Sequence, residues 1–265
     1  MANRELQAYY ARDEERDRLS GGVGRVEFLR TVEILQRTLP PRGAVVADVG
    51  GGPGRYTDWL VEAGYHVVHR DVVAHHVDQV RSRHGVRVDA AVGDARSLDL
   101  ADDSVDVVLL LGPLYHLDDH ADRLQALREA HRVVRSGGIV QAAAISRWAP
   151  RLHGMLVDRV HVKYPVIIEM VDEMERTGTM PPVHESSFTG YAHTPDELCE
   201  EVRRSNLLLE SLVALEGIAF ALSDLDDRMN DPHERALLLN VLRAVESIPD
   251  LAGLGPHLLA TGRKR

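Results

Sequence analysis

The chain has 265 residues, 44% of them hydrophobic, and a formal charge of −10. A chain of that length buries one sizeable core and fits a single domain better than two. Its negative charge would repel a phosphate backbone, which needs a basic patch to displace counterions, so no nucleic-acid partner is expected and small-molecule ligands are favoured.

Residues 1–22 are polar, with Tyr9-Tyr10 and a charged run from Arg12 to Arg18 closed by Ser20-Gly21-Gly22. They read either as a solvated helix or as a lid over a pocket. A helix follows over 23–38, apolar at Val26, Leu29 and Ile34, and Leu39-Pro40-Pro41 ends it. The first strand, Val45 to Val49, contains the acid Asp48 and runs into Gly50-Gly51-Gly52-Pro53-Gly54 and a helix opening near Arg55. That order describes a nucleotide-type pocket. Gly50 and Gly52 accept backbone angles closed to other residues and let a ligand lie against the main chain, while the helix start offers unpaired N–H groups.

A second strand, His66 to Arg70, ends in Asp71, about 20 residues past Gly50, where an acid at a strand tip commonly takes ribose hydroxyls. Val72 and Val73 come next, placed to cover one face of an adenine. A third strand, roughly Val86 to Val92, delivers Gly93-Asp94-Ala95, where a carboxylate can accept from an adenine amino group. The fourth, Val105 to Leu111, is apolar throughout, as a central parallel strand should be. Leu111 at its tip joins the expected pocket wall, and Gly112-Pro113-Leu114-Tyr115-His116-Leu117 leaves a loop over the sheet edge, where open α/β sheets hold ligands.

Asp118 or Asp119 then caps a helix with Leu124, Leu127 and Val134 on one stripe, and His131 on that stripe reads as a core histidine. Ser136-Gly137-Gly138 is expected to close the helix before a fifth strand, Ile139 to Ile145. The stretch from Ser146 to Thr194 is too long for a loop and too apolar for a linker. It reads as an inserted cap, with helices over Pro150 to Val160 and Pro165 to Arg176 and a break from Gly178 to Pro182. Its aromatic and imidazole groups, among them His153, His161, Tyr164, His184, Tyr191 and His193, suit a roof over a second substrate. Thr194-Pro195-Asp196-Glu197 starts a helix. A strand over Leu207 to Leu215, helices at about 216–228 and 232–247, and a last strand near His257 to Thr261 complete the chain.

The run Asp48-Val49-Gly50-Gly51-Gly52-Pro53-Gly54, the acid Asp71, the tip Gly93-Asp94-Ala95 and the turn Arg135-Ser136-Gly137-Gly138 resemble those of class I S-adenosylmethionine-dependent methyltransferases of the small-molecule type. The likeness is good over roughly 23–146 and loose beyond. It implies an α/β fold with a doubly wound, seven-stranded, mostly parallel Rossmann-like sheet, in one domain over 1–265. Its parts would be an N-terminal helical lid (1–38), a cofactor-binding core (39–146), a helical cap insertion after strand 5 (147–194) and a C-terminal part of the core (195–265), with the last two strands antiparallel.

The resemblance further implies S-adenosyl-L-methionine as cofactor, with Tyr10, Arg18, Asp48, Gly50, Gly52, Gly54, Asp71, Val72, Asp94, Ala95 and Leu111 as its binding residues. Tyr10 could face the sulfonium and Arg18 could pair with the methionyl carboxylate. Methyl transfer from a sulfonium is an in-line displacement in which charge is lost, so holding the nucleophile in place supplies most of the acceleration. His116, on the loop nearest the methyl group, is the candidate base, and Tyr115 could orient the acceptor.

The expected activity is methyl transfer to an O, N or activated C atom of a small metabolite, such as a natural-product intermediate. A nicotinamide-dependent oxidoreductase is the alternative enzyme, but it wants a third glycine where Arg55 stands. A non-catalytic S-adenosylmethionine-binding protein is the alternative outside catalysis. No metal is expected, since neither His116, Asp118, Asp119 and His120 nor His75-His76 has a known ligand geometry. No apolar run reaches the ~18 residues of a membrane span, and Met1-Ala2-Asn3-Arg4-Glu5 lacks the order of a secretion signal. The single cysteine, Cys199, excludes an intramolecular disulfide, so a cytoplasmic setting is expected, with a homodimer left open.

Overall fold

The computed structural model describes residues 18–183 and 189–265. Residues 1–17 of the expected lid, Tyr10 among them, and His184 lie outside the described residues. The core alternates helix and strand: α1 Gly22–Thr38, β1 Val45–Val49, α2 Arg55–Ala63, β2 His66–Asp71, α3 Ala74–His84, β3 Val88–Val92, β4 Val105–Leu110, α4 His120–Val133 and β5 Val134–Ser146. The cap holds a π-helical turn at Pro150–Met155, α5 Val160–Lys163, α6 Ile167–Thr177, β6 Thr179–Met180 and β7 Gly190–His193. Next come α7 Pro195–Arg204, β8 Leu208–Ala214, α8 Leu225–Asn230, α9 Pro232–Val245, α10 Pro249–Ala252 and β9 His257–Arg263.

One sheet joins these strands. Its central order is β3-β2-β1-β4-β5, all parallel. β9 runs antiparallel to β5 and β8 antiparallel to β9, giving the seven expected strands. The cap adds two more: β7 pairs with β5 at Ile145 and Ser146, beyond the last β4 partner Ala142, and β6 pairs with β7. The segment expected as a break at Gly178 to Pro182 thus contains a strand, because β7 supplies an edge that local sequence does not reveal.

The period of two in the central strands divides the core. Ala47, Val49, Val108 and Leu110 face α4 and α7 through Ala126, Leu127, Leu198 and Val202. Val46, Val107 and Leu109 face the other way, against Leu35, Leu60, Val77 and Val80 of α1, α2 and α3. The far face of α1 packs Val26 on Ala219, Leu225, Met229, Leu238 and Leu242. No described helix is long and apolar enough to cross a membrane.

Several elements differ from expectation: the helix expected over Pro150 to Val160 is a π-helical turn at Pro150–Met155 followed by α5, and the one expected at about 216–228 is a 3₁₀ turn at Gly217–Ala221 followed by α8. The third strand starts at Val88, because Gly85–Arg87 forms a 3₁₀ turn with Val86 exposed. The Ser136-Gly137-Gly138 turn does not close α4, which ends at Val133. Instead β5 begins at Val134, pairs with Val105, and resumes with Val107 opposite Ile139, so the intervening residues form a bulge within the strand. His131 is half-buried, not enclosed in the core, and burial lowers its pKa.

A buried cation links the cap to the core. Arg123 of α4 donates through Nε to Glu201 Oε1 at 2.9 Å and through Nη1 to the carbonyls of Leu117 and Asp118, each at 2.9 Å. Its guanidinium carbon lies 3.5 Å from the Tyr191 ring centroid, and Glu201 also meets His193 at 3.0 Å. Replacing Arg123 with Met should cost about 3–5 kcal/mol, since it leaves Glu201 buried without its cation. Urea denaturation of the variant against the parent protein measures this.

Candidate active site

Three strand tips and one loop surround a cavity of about 300 Å³ at the carboxyl edge of the sheet. Gly50, Gly51 and Gly52 come from the β1 turn, Asp71, Val72 and Val73 from β2, Gly93, Asp94 and Ala95 from β3, and Leu111, Tyr115 and His116 from the end of β4. Arg18 and Asp48 also border it. The structure thus brings together the expected site residues that it describes, with one exception. Gly54 is absent from the wall: it is the left-handed residue before α2, and a Cβ there would lie 2.6 Å from Val80 Cγ2. It serves close packing of the helices, and Gly51 borders the cavity beside Gly50 and Gly52.

The turn is held by the neighbouring strand. Gly50 N–H donates to the Arg70 carbonyl at 2.6 Å, and Gly52 N–H donates to Asp71 Oδ2 at 2.8 Å. Gly50 has φ +66°, and a Cβ on it would meet Pro113 Cγ at 2.6 Å, so only glycine fits between the turn and the β4 loop. Asp71 also accepts from Val73 N–H at 2.8 Å and sits 3.4 Å from His76 Nδ1. Burial works against its charge, but His76 and the two backbone donors outweigh it and hold the carboxyl below its ordinary range. Asp71 is therefore an acceptor at neutral pH, as a ribose partner needs to be.

Asp48 is fully buried beneath the turn. Its Oδ2 accepts from Thr57 Oγ1 at 2.6 Å, and Thr57 in turn meets His69 Nδ1 at 3.0 Å. Its Oδ1 is buried with no hydrogen-bond partner among the described residues. An orphaned carboxylate oxygen at a cavity wall is costly unless a donor arrives, and a ligand ammonium is such a donor. Asp94 is already engaged: Arg96 donates to it from Nε at 3.0 Å, from Nη2 at 2.6 Å and from its backbone N–H at 2.9 Å. That side-chain bond to Arg96 lowers the Asp94 pKa. Sequence reading missed Arg96, whose role depends on reaching both Asp94 and Asp122. Thr57 and His69 were missed too, because only the fold sets them against Asp48.

Pro113–His116 forms a 3₁₀ turn after β4. It presents Tyr115 and His116 to the cavity, ring centroids 4.7 Å apart, with the Tyr115 hydroxyl 3.4 Å from the Leu111 carbonyl. Burial pushes His116 down to about 3, so the imidazole is neutral at physiological pH and only weakly basic. Tyr56 borders the cavity as well, and burial raises its hydroxyl pKa well above the ordinary value. Of the cap, Thr189 alone among the described residues reaches the wall. His193 is instead tied to Glu201 and Tyr191 to Arg147 at 3.2 Å, so these side chains anchor the cap rather than roof the cavity. Arg55 takes the third-glycine position of a dinucleotide turn, with its guanidinium 4.2 Å above the Phe28 ring.

One described group has the composition of a metal site: donor atoms of Glu27, Glu216 and His257 all lie within 4.8 Å of one another. Arg18 and His257 interleave with the two carboxylates, however, so the group is an ion network of alternating sign.

A family model described as a methyltransferase domain matches residues 47–142. Over 106 residues the chain is 37% identical to an uncharacterized methyltransferase of Mycobacterium bovis, a match covering 40% of this chain and 42% of that one. A probable tRNA methyltransferase 9B of Homo sapiens is 30% identical over 109 residues, 41% of this chain and 22% of that one. The chain therefore spans less than half the length of these curated relatives. Among solved structures, a Thermotoga maritima S-adenosylmethionine-dependent methyltransferase, described as a possible histamine N-methyltransferase, superposes with a TM-score of 0.61 at 19% identity, covering 100% of both chains. The glycine turn, the strand-tip acids and the orphaned Asp48 oxygen fit the adenosyl, ribose and ammonium groups of that family's cofactor. Residues 47–142 thus match a methyltransferase domain, and the chain shares the fold of S-adenosylmethionine-dependent methyltransferase structures.

Proposed function

We propose that this protein transfers a methyl group from S-adenosylmethionine to an O, N or activated C atom of a small metabolite. The observation that carries the reading is the convergence of Gly52, Asp71 and Asp94 on one cavity with Tyr115 and His116. The cofactor supplies an electrophilic methyl group when bound. Asp71 is suited to the ribose hydroxyls, Val72 and Ala95 to the faces of adenine, Asp48 to the ammonium and Arg18 to the carboxylate. The neutral His116 imidazole can accept a hydrogen bond from an acceptor N–H or O–H and hold its lone pair in line. Its depressed basicity makes it a positioning acceptor first and a proton acceptor only for a nucleophile already losing its proton in the displacement.

A small acceptor is supported by the charge of −10, which disfavours polyanions, and by the description of the full-length structural neighbour as a possible histamine N-methyltransferase. A tRNA acceptor is the second reading, favoured by the name of one relative. Retention of labelled tRNA in a gel-shift titration at physiological salt would support it over a metabolite. The half-buried Cys199 thiol, its pKa raised by burial, suits the proposed cytoplasmic setting.

Calorimetry with S-adenosylmethionine and S-adenosylhomocysteine tests the reading, with dissociation constants of about 1–100 µM expected and no heat from either falsifying it. Asp71→Asn should weaken both by roughly 10- to 100-fold, the worth of a charge-assisted hydrogen bond. His116→Ala should lower kcat by about 10- to 100-fold while cofactor affinity stays within about twofold. With its pKa near 3, His116 gains no proton between pH 5 and 9. The wild-type pH–rate profile should then show no limb that disappears in His116→Gln, and such a limb near pH 6.5 would contradict the assignment.

A further inference from the structure

Glu27, Glu216 and His257 belong to the first turns of α1, the residues just after β8 and the first position of β9. They meet beside the cofactor cavity, with both carboxylates buried. Two carboxylates in so small a space require two cations, and the structure provides them in series. His257 Nδ1 lies 2.5 Å from Glu216 Oε1 and 3.7 Å from Glu27 Oε2. The His257 backbone N–H donates to Glu216 Oε2 at 3.1 Å. On the far side, Arg18 donates to Glu27 as a fork, Nη1 to Oε2 at 2.5 Å and Nη2 to Oε1 at 3.1 Å.

The order Glu216, His257, Glu27, Arg18 alternates in sign, and its last member borders the cavity. Burial opposes the charge on His257, but Glu216 and Glu27 outweigh it and raise the pKa to about 9, so both cations are present at neutral pH. The Arg18 side chain is 35% exposed. An arginine in that position ordinarily samples several rotamers, and ordering it on ligand binding costs free energy. A two-point fork on a buried carboxylate removes that freedom in advance.

Resting on the methyltransferase reading, we propose that Glu216, His257 and Glu27 are positioning residues that hold Arg18 at the cavity wall to receive the carboxylate of the cofactor's methionine end. Cofactor recognition is then tied to the antiparallel β8–β9 pair, far in sequence from the glycine turn. The network acts on one end of the ligand only, and this makes it separable from general support of the fold.

Two probes divide the ligand: S-adenosylhomocysteine carries the amino-acid end, and 5′-methylthioadenosine lacks it. Glu27→Gln and His257→Gln should each weaken S-adenosylhomocysteine about tenfold by calorimetry and leave 5′-methylthioadenosine within about twofold. Glu27→Asp, which keeps the charge, should recover part of the loss. Arg18→Lys keeps the charge without the fork on a side chain that is not part of the core, so it should show the same split without endangering folding. Thermal melting followed by circular dichroism confirms that each variant is folded. Equal weakening of both probes, no weakening of either, or tighter S-adenosylhomocysteine binding in Glu27→Gln would each overturn the inference, the last by making Glu27 a competitor for Arg18. Wild-type protein that binds neither probe would overturn the methyltransferase reading, and the inference with it.

Discussion

The hydrogen bond from Gly52 N–H to Asp71 Oδ2 joins the tips of two neighbouring parallel strands at the point where their ladder has run out. Parallel strands leave their carboxyl ends open because each chain must turn away into a crossover helix. Here Gly50 N–H to the Arg70 carbonyl and Gly52 N–H to Asp71 continue the pairing past Val49, using a turn in place of a strand. The same clamp fixes the carboxylate that a ribose would meet and the main chain against which a ligand would lie. Pro113 closes on Gly50 from the β4 side, so the third wall of the cavity depends on the same turn.

Around this clamp the protein manages buried charge with arginine. Its net charge is negative, yet Arg30, Arg70, Arg123 and Arg147 are buried, each beside a carboxylate: Glu246, Asp99, Glu201 and Glu197 respectively. A guanidinium is weakly hydrated and carries five donors in a plane, so it bridges carboxylates and backbone carbonyls that a lysine could not satisfy together. Arg123 is the example with functional reach. It grips the carbonyls of Leu117 and Asp118, immediately after His116, while contacting Glu201 and Tyr191 near the cap. The loop that carries the proposed acceptor-positioning residue is thereby braced from the helix layer below.

The two histidines nearest the reading sit at opposite electrostatic extremes. Burial holds His116 neutral, near 3, while two carboxylates hold His257 charged, near 9. A neutral ring can accept from a nucleophile, and a charged one can only stabilise acids. The stability contributed by His257 is fully present below its unfolded value of about 6.5 and is lost as pH rises through about 9. For His116 the loss occurs on the other side, as pH falls from about 6.5 toward 3.

The sequence by itself determined the central sheet and the strand tips that line the cavity. Apolar runs, glycines and strand-tip acids are local patterns, and Asp48, Gly50, Gly52, Asp71, Asp94 and Ala95 could be placed from them because each sits a residue or two from the strand that positions it. Tertiary structure alone decided that Gly54 packs against α3, that Arg96 occupies Asp94, and that the cap contributes β6 and β7. It alone brought Glu27, Glu216 and His257 together. The buried ion networks rest on partners far apart in the chain, with Glu216 and His257 41 positions apart and Arg123 and Glu201 78 apart. A buried ion pair leaves no periodic trace in the sequence, since its partner is chosen by how the layers pack and not by what lies beside it in the chain.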